Sequence, residues 1–151
     1  TKIRVSRIDY LNAEQVIDPA PKNRGIRMNV YAKERGMDEH VCDLEMQAQP
    51  EIRLGKRLRY YQSALDAREL PAGEDYGTPP ESFIIFLCSQ DPFGYDVPVY
   101  RFERCCLEVP ELSLGNESHW IALNARAWET AENDGLRDVL RCTQTGEGLG
   151  L

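Results

Sequence analysis

Two stretches early in the chain alternate strictly between apolar and polar residues. In 26–33, Ile26, Met28, Val30 and Ala32 alternate with Arg27, Asn29, Tyr31 and Lys33; in 41–47, Cys42, Leu44 and Met46 alternate with Asp43, Glu45 and Gln47. A period of two is that of a strand with one covered face, so the pattern predicts a hairpin, with "ERGMDEH" as its loop and a partly solvated polar face. Two further extended segments are expected upstream, at 3–10 and 14–18, with "DPAPKN" turning into the hairpin.

The period then changes. Leu54, Leu58, Tyr61 and Leu65 recur at helical spacing, which predicts a helix over 51–69, opened by Pro50 and terminated by "LPAGEDYGTPPE". The unbroken apolar run "SFIIFLC" at 82–88 reads as a strand buried on both faces, as in a sheet covered by helices. "DPFGYD" is a loop, "VPVYRFERCCLEV" and "HWIALNA" are further strands joined by the turn "SLGNES", and 130–142 is a weaker terminal helix. The order is that of one mixed α/β domain over residues 1–145 followed by a flexible tail at 146–151, with no internal repeat or dividing linker.

Composition narrows the function classes. No apolar run approaches the roughly 18 residues of a membrane helix, and the first ten residues lack the apolar block of a signal peptide, so a soluble, cytoplasmic protein with no membrane partner is expected. The five cysteines include no C-x-x-C, and the two histidines have no metal-finger spacing; reduced, mostly buried thiols are expected, Cys105 and Cys106 packing within a strand. A formal net charge of -7 excludes a protein that coats nucleic acid, because that affinity comes from neutralising phosphates, and any DNA contact has to be local. One segment could supply it: 51–68 carries Arg53, Lys56, Arg57, Arg59 and Arg68 against Glu51 and Asp66, with Tyr60 and Tyr61 interleaved. On these residues alone, the solvated side of an amphipathic helix is the slightly favoured reading.

Other motifs lead nowhere. "GEGLG" at 146–150 has no preceding strand and no following helix to make a phosphate loop, no small-molecule cofactor is indicated, and Ser118-His119 lacks a nucleophile-elbow pattern. The hairpin is the remaining candidate. Alternation puts Glu45 and Gln47 on one face, and pairing can bring Asn29 beside them; with Asp in place of Asn29 the face would present two carboxylates, the oxygen ligands a hard divalent cation takes.

Five blocks, "GIRMNVYAKE…CDLEMQ", "KRLRYYQSALDARELPAGEDY", "SFIIFLCSQDPFG", "VYRFERCCLEVPEL" and "WIALNAR", taken together in order and spacing over roughly residues 3–140, resemble the PD-(D/E)XK nuclease family transposases, the Rpn-type recombination-promoting nucleases. The resemblance implies a restriction-endonuclease-like core, a mixed β-sheet flanked by helices, whose first helix would lie upstream of Thr1; the family also commonly continues past the last helix. It implies a DNA endonuclease dependent on Mg (or Mn), acting in recombination or on mobile elements. It gives Glu45 as the metal-binding acid and Gln47 in place of the usual lysine, with the Met46 backbone carbonyl as a further ligand. Asn29 stands where the family carries a metal-binding Asp. Arg57, Tyr60 and Tyr61 fall in a block expected to contact DNA or support the site; Arg53, Lys56 and Arg59 of the basic segment are the further DNA-binding candidates. Two symmetric cuts would call for two sites and hence a homodimer. The neutral amide of Asn29 leaves two expectations open: a working nuclease, or a catalytically degenerate relative that binds DNA or protein.

Overall fold

The computed structural model describes residues 15–17, 26–28, 30–34, 40–50 and 52–147. Two short strands, β1 (Gln15–Ile17) and β2 (Ile26–Met28), pair antiparallel as a separate ribbon. They are followed by β3 (Val30–Glu34), β4 (His40–Gln47), helix α1 (Leu54–Glu69), β5 (Glu81–Cys88), β6 (Val99–Phe102), β7 (Ser118–Asn124), a 3-10 turn at Ala125–Thr130 and helix α2 (Asp134–Thr145). The expected strand at 3–10, the loop at 18–23 and Asn29 lie outside the described residues, as does the tail beyond Glu147.

The main sheet has five strands in the order β3-β4-β5-β7-β6. β3 runs antiparallel to β4; β4, β5 and β7 are mutually parallel; β6 runs antiparallel to β7 on the far edge. The expected hairpin is present over Val30–Glu34 and His40–Gln47, while Ile26–Met28, expected in the same strand, pairs with β1 instead; α1 makes the crossover that a parallel β4–β5 pair requires. Among the described residues no helix is long and apolar enough to cross a membrane.

Each helix covers one face. Leu54, Leu58, Tyr61, Ala64 and Leu65 of α1 pack on Tyr31, Val41, Ile84, Phe86 and Ala122. Leu140 of α2 packs with Leu87 and Ala131, flanked by Leu44, Leu123 and Trp128. The central strand β5 supplies both layers, Ile84 and Phe86 to one and Leu87 to the other, which explains its unbroken apolar run. A buried polar contact fixes α1 over the sheet: the Gln62 side chain donates to Ser82 Oγ at 3.0 Å and accepts from Ser118 Oγ at 2.8 Å and Trp120 Nε1 at 3.1 Å. At its C-terminal end Glu69 accepts from Tyr31 Oη at 2.7 Å and Lys33 Nζ at 2.9 Å, tying the helix to β3.

Three sequence expectations are corrected. The helix starts at Leu54, after Arg53 as N-cap, several residues past Pro50. The strand expected over 97–109 is only four residues long, and the rest forms a loop closed by the Cys105–Ser113 bridge. Here Leu107, Leu112 and Leu114 are exposed, so their apolar spacing marks no covered face. The thiols are free but not mostly buried: Cys88 alone is, and Cys105 is exposed. The terminal helix, in contrast, has clear punctuation. Asn133 Oδ1 accepts from the Leu136 N–H at 2.7 Å, and Gly146 ends the helix at φ 72°, a left-handed conformation that glycine adopts without a Cβ clash.

Candidate metal and nucleic-acid site

The polar face of β4 lies under α1. Period-two alternation places Val41, Asp43, Glu45 and Gln47 on one side of the strand, and Val41 is part of the layer that α1 covers. The partly solvated face expected from the sequence is thus the covered one. Asp43 is 0% exposed, whereas Met46 on the opposite side is 50% exposed. Alternation tells which residues share a face; only the path of the following helix tells which face is covered.

Arg57 organises the open end of this row. One turn into α1, its guanidinium donates to the Gln47 Oε1 and lies 3.8 Å from Glu45 Oε1. It stacks over Phe86, 5.1 Å from the ring centroid, and over Tyr61 at 5.7 Å. Gln47 uses its other end to donate to the Gln49 carbonyl at 2.6 Å, so both halves of its amide are engaged. Tyr61 is buried and packs edge-on against Phe86. Its ring is part of the core, a correction to its expected place on a DNA-facing surface, and burial raises its hydroxyl pKa, with the Arg57 hydrogen bond working in the opposite direction.

Asp43 is the residue that sequence reasoning passed over. Its two carboxylate oxygens are buried and have no hydrogen-bond partner among the described residues. Burial, and then the charge of Glu45 one alternate position along the strand, push its pKa up to about 7. Burying a lone carboxylate is costly, and the cost falls when the group takes a proton or a cation. The D-x-E-x-Q spacing was the available signal, since Asp43 shares the face of Glu45 and Gln47. The thiol of Cys42 is pushed up to about 12, first by burial and then by the Asp43 charge, which makes it a poor nucleophile beside the site.

Asp43 and Glu45 are oxygen donors of the kind a small hard cation takes. Among the described residues no group of three or more His, Cys, Asp or Glu side chains is placed to hold a metal ion. Two adjacent carboxylates are nonetheless what Mg²⁺ commonly takes from a protein, the remaining positions going to water and substrate phosphate. A cleft of about 80 Å³ opens next to this row at the C-terminal ends of β4 and β5, lined by Gln47, Leu54, Cys88 and Asp91. The ends of parallel strands are where open α/β sheets tend to bind ligands. The Asp91 loop behind it is rigidly built: the carboxylate accepts from Tyr100 Oη at 2.7 Å and from the N–H groups of Phe93, Gly94 and Asp96. Partial burial opposes ionisation of Asp91, but these donors outweigh it and its pKa is lowered.

The other expected site residues are dispersed. Met46 is opposite Leu87 in the β4–β5 ladder. Arg53 at the N-cap and Lys56 and Arg59 of α1 are exposed, and Tyr60 is half-buried against the core. Asn29 lies outside the described residues. Comparison of the chain with protein-family models, with curated proteins and with solved structures finds no match in any of the three.

Proposed function

We propose that this protein is a divalent-metal-dependent DNA endonuclease of the PD-(D/E)XK type, with a restriction-endonuclease-like core. The observation that carries the reading is the Asp43–Glu45 pair on one face of β4, Asp43 fully buried and Glu45 partly so, with Asp43 raised by burial and by its neighbour's charge. The order of hairpin, crossover helix and parallel strand supports it, and so does the five-block resemblance of the sequence.

In this reading Glu45 and Asp43 would hold the cation, with the Met46 carbonyl as an additional donor. A bound Mg²⁺ or Mn²⁺ would supply Lewis acidity toward a phosphate oxygen and lower the pKa of a coordinated water. The residues themselves position and balance charge. Arg57 holds the Gln47 amide in place and offsets part of the Glu45 charge. Gln47, held by Arg57 and by the Gln49 carbonyl, would help orient a water at the cation, and the exposed Arg53, Lys56 and Arg59 would attract the DNA backbone.

One feature favours the second reading, a noncatalytic DNA- or protein-binding relative: Asn29 brings an amide where a carboxylate would add charge for the cation. Plasmid cleavage separates the two. Supercoiled DNA is incubated with the protein and Mg²⁺ or Mn²⁺, with a chelator control, alongside Glu45→Gln and Asn29→Asp. Metal-dependent nicking lost in Glu45→Gln supports the nuclease; nicking retained in that variant removes the site assignment. Cleavage only after Asn29→Asp assigns this chain to the noncatalytic reading.

A further inference from the structure

A second concavity lies on the α1 side of the sheet, toward the β6 edge. It encloses about 290 Å³ and is lined by Gly55 and Leu58 of α1, by Phe93, and by Phe102, Arg104 and Trp120 from β6, the residues after it and β7. Its wall is aromatic and partly open to solvent: Phe93 is 37% and Phe102 40% exposed, their rings meeting edge to face at 5.2 Å. Trp120 forms the floor with the Arg104 guanidinium 4.5 Å from its ring centroid. Gly55 leaves the mouth open, since a Cβ there would meet nothing within 4 Å.

We propose that this cavity receives one unstacked base of a single-stranded or locally opened DNA substrate. Three observations select that occupant over an aliphatic side chain. The volume is near the small end of ligand pockets, roughly 300 Å³, suited to one ring system. The lining offers aromatic faces and a planar guanidinium, the two surfaces on which bases stack. The Arg104 guanidinium, stacked on Trp120 and with Glu103 beside it in the same lining, offers a positive charge to the backbone of an inserted nucleotide in a chain whose net charge is -7.

Its position relative to the carboxylates also suits a nucleic acid strand. Glu45 is level with Phe86, and Phe86 with Ala122, so Trp120 is two strands over and two residues along on the same covered face. With strands about 4.8 Å apart and residues about 3.3 Å along, the separation is on the order of 12 Å. That is a few nucleotides of chain at roughly 3.4 Å per stacked step. Leu58 lines the cavity while the preceding Arg57 reaches Gln47, so one turn of α1 touches both places. This inference rests on the nuclease reading for why DNA comes to this face.

The test measures binding in chelator, where no cleavage occurs. A labelled twelve-nucleotide thymidine strand is compared by fluorescence anisotropy with the same phosphate backbone made fully abasic, using the full chain, Phe102→Ala and Gly55→Phe. The expected result is roughly tenfold weaker binding of the abasic strand to the native protein, the scale of one stacked base. Both variants should bring thymidine binding down to the abasic level, Phe102→Ala by removing the wall and Gly55→Phe by filling the space. Equal affinity for the two strands, unchanged binding in both variants, or no binding of either strand overturns the proposal. Plasmid cleavage run in parallel keeps the two readings apart. Base-dependent binding without cleavage keeps the pocket and removes the nuclease; metal-dependent cleavage without base dependence does the reverse.

Discussion

Asp43 and Glu81 are carboxylates on neighbouring parallel strands, and the fold treats them in opposite ways. Glu81 stands at the start of β5 between both histidines of the chain, with His40 Nε2 2.9 Å from one oxygen and His119 Nε2 2.7 Å from the other. His119 is held further by Phe83, stacked at 4.7 Å, and by Glu103 at 3.6 Å. This cluster is about a third exposed and closes on itself. Asp43 is fully covered, faces another acid on its own strand, and finds no hydrogen-bond donor among the described residues. A carboxylate with donors on both oxygens has no further need of a ligand. One buried without them gains from binding a cation, and this contrast separates the structural ion pair from the candidate site.

The largest expected effect breaks the contrast at Asp43. Its pKa rises from 3.8 to about 7 on folding, so between those values the folded chain holds a proton that the unfolded chain has lost. Unfolding then releases a proton, and stability falls as pH rises from about 4 to about 7, levelling off above. At 1.36 kcal/mol per pH unit the ionised carboxylate costs up to roughly 4 kcal/mol at pH 8. Asp43→Asn, measured by urea denaturation without divalent cations, should remove most of this slope and be the more stable protein at pH 8. A native-like slope in Asp43→Asn would show that the buried charge lies elsewhere.

Arg57 comes next, because it is the cation the chain itself brings to this row. Arg57→Ala removes the hydrogen bond to Gln47 and the stacking on Phe86, an expected loss of about 1–3 kcal/mol in the same denaturation experiment. No loss would mean that the guanidinium contacts are offset by its desolvation. The smallest effect belongs to the closed cluster. Glu81→Gln disturbs two partly exposed pairs and should cost about 1 kcal/mol or less. A loss as large as that of Arg57→Ala would place Glu81 among the residues that hold the sheet together.

The same contrast shows what was legible in the sequence. The apolar run of β5 and the helical spacing of α1 specify elements whose burial follows from the local pattern, and both form, α1 starting a few residues later than expected. The grouping of Glu45 with Gln47 follows from alternation, and Asp43 belongs to it by the same rule. What alternation does not contain is the direction of the next element. Because α1 crosses over the polar side of β4, Asp43 becomes a buried acid and Met46 a half-exposed apolar residue. The aromatic cavity was illegible for a similar reason, since Phe93, Phe102 and Trp120 come together only through the β6–β7 pairing and the loop that Asp91 holds. Phe102 is opposite Trp120 in that register, a relation carried by no local pattern.

The central claim is that Asp43 and Glu45 together form a cation site, and calorimetric titration of Mn²⁺ into the metal-free protein at pH 8 tests it most directly. The expected result is binding of one ion per chain, lost in Asp43→Asn and in Glu45→Gln, with both variants still folded by circular dichroism. Binding of equal strength in the native protein and both variants, or no binding by the native protein, would contradict it.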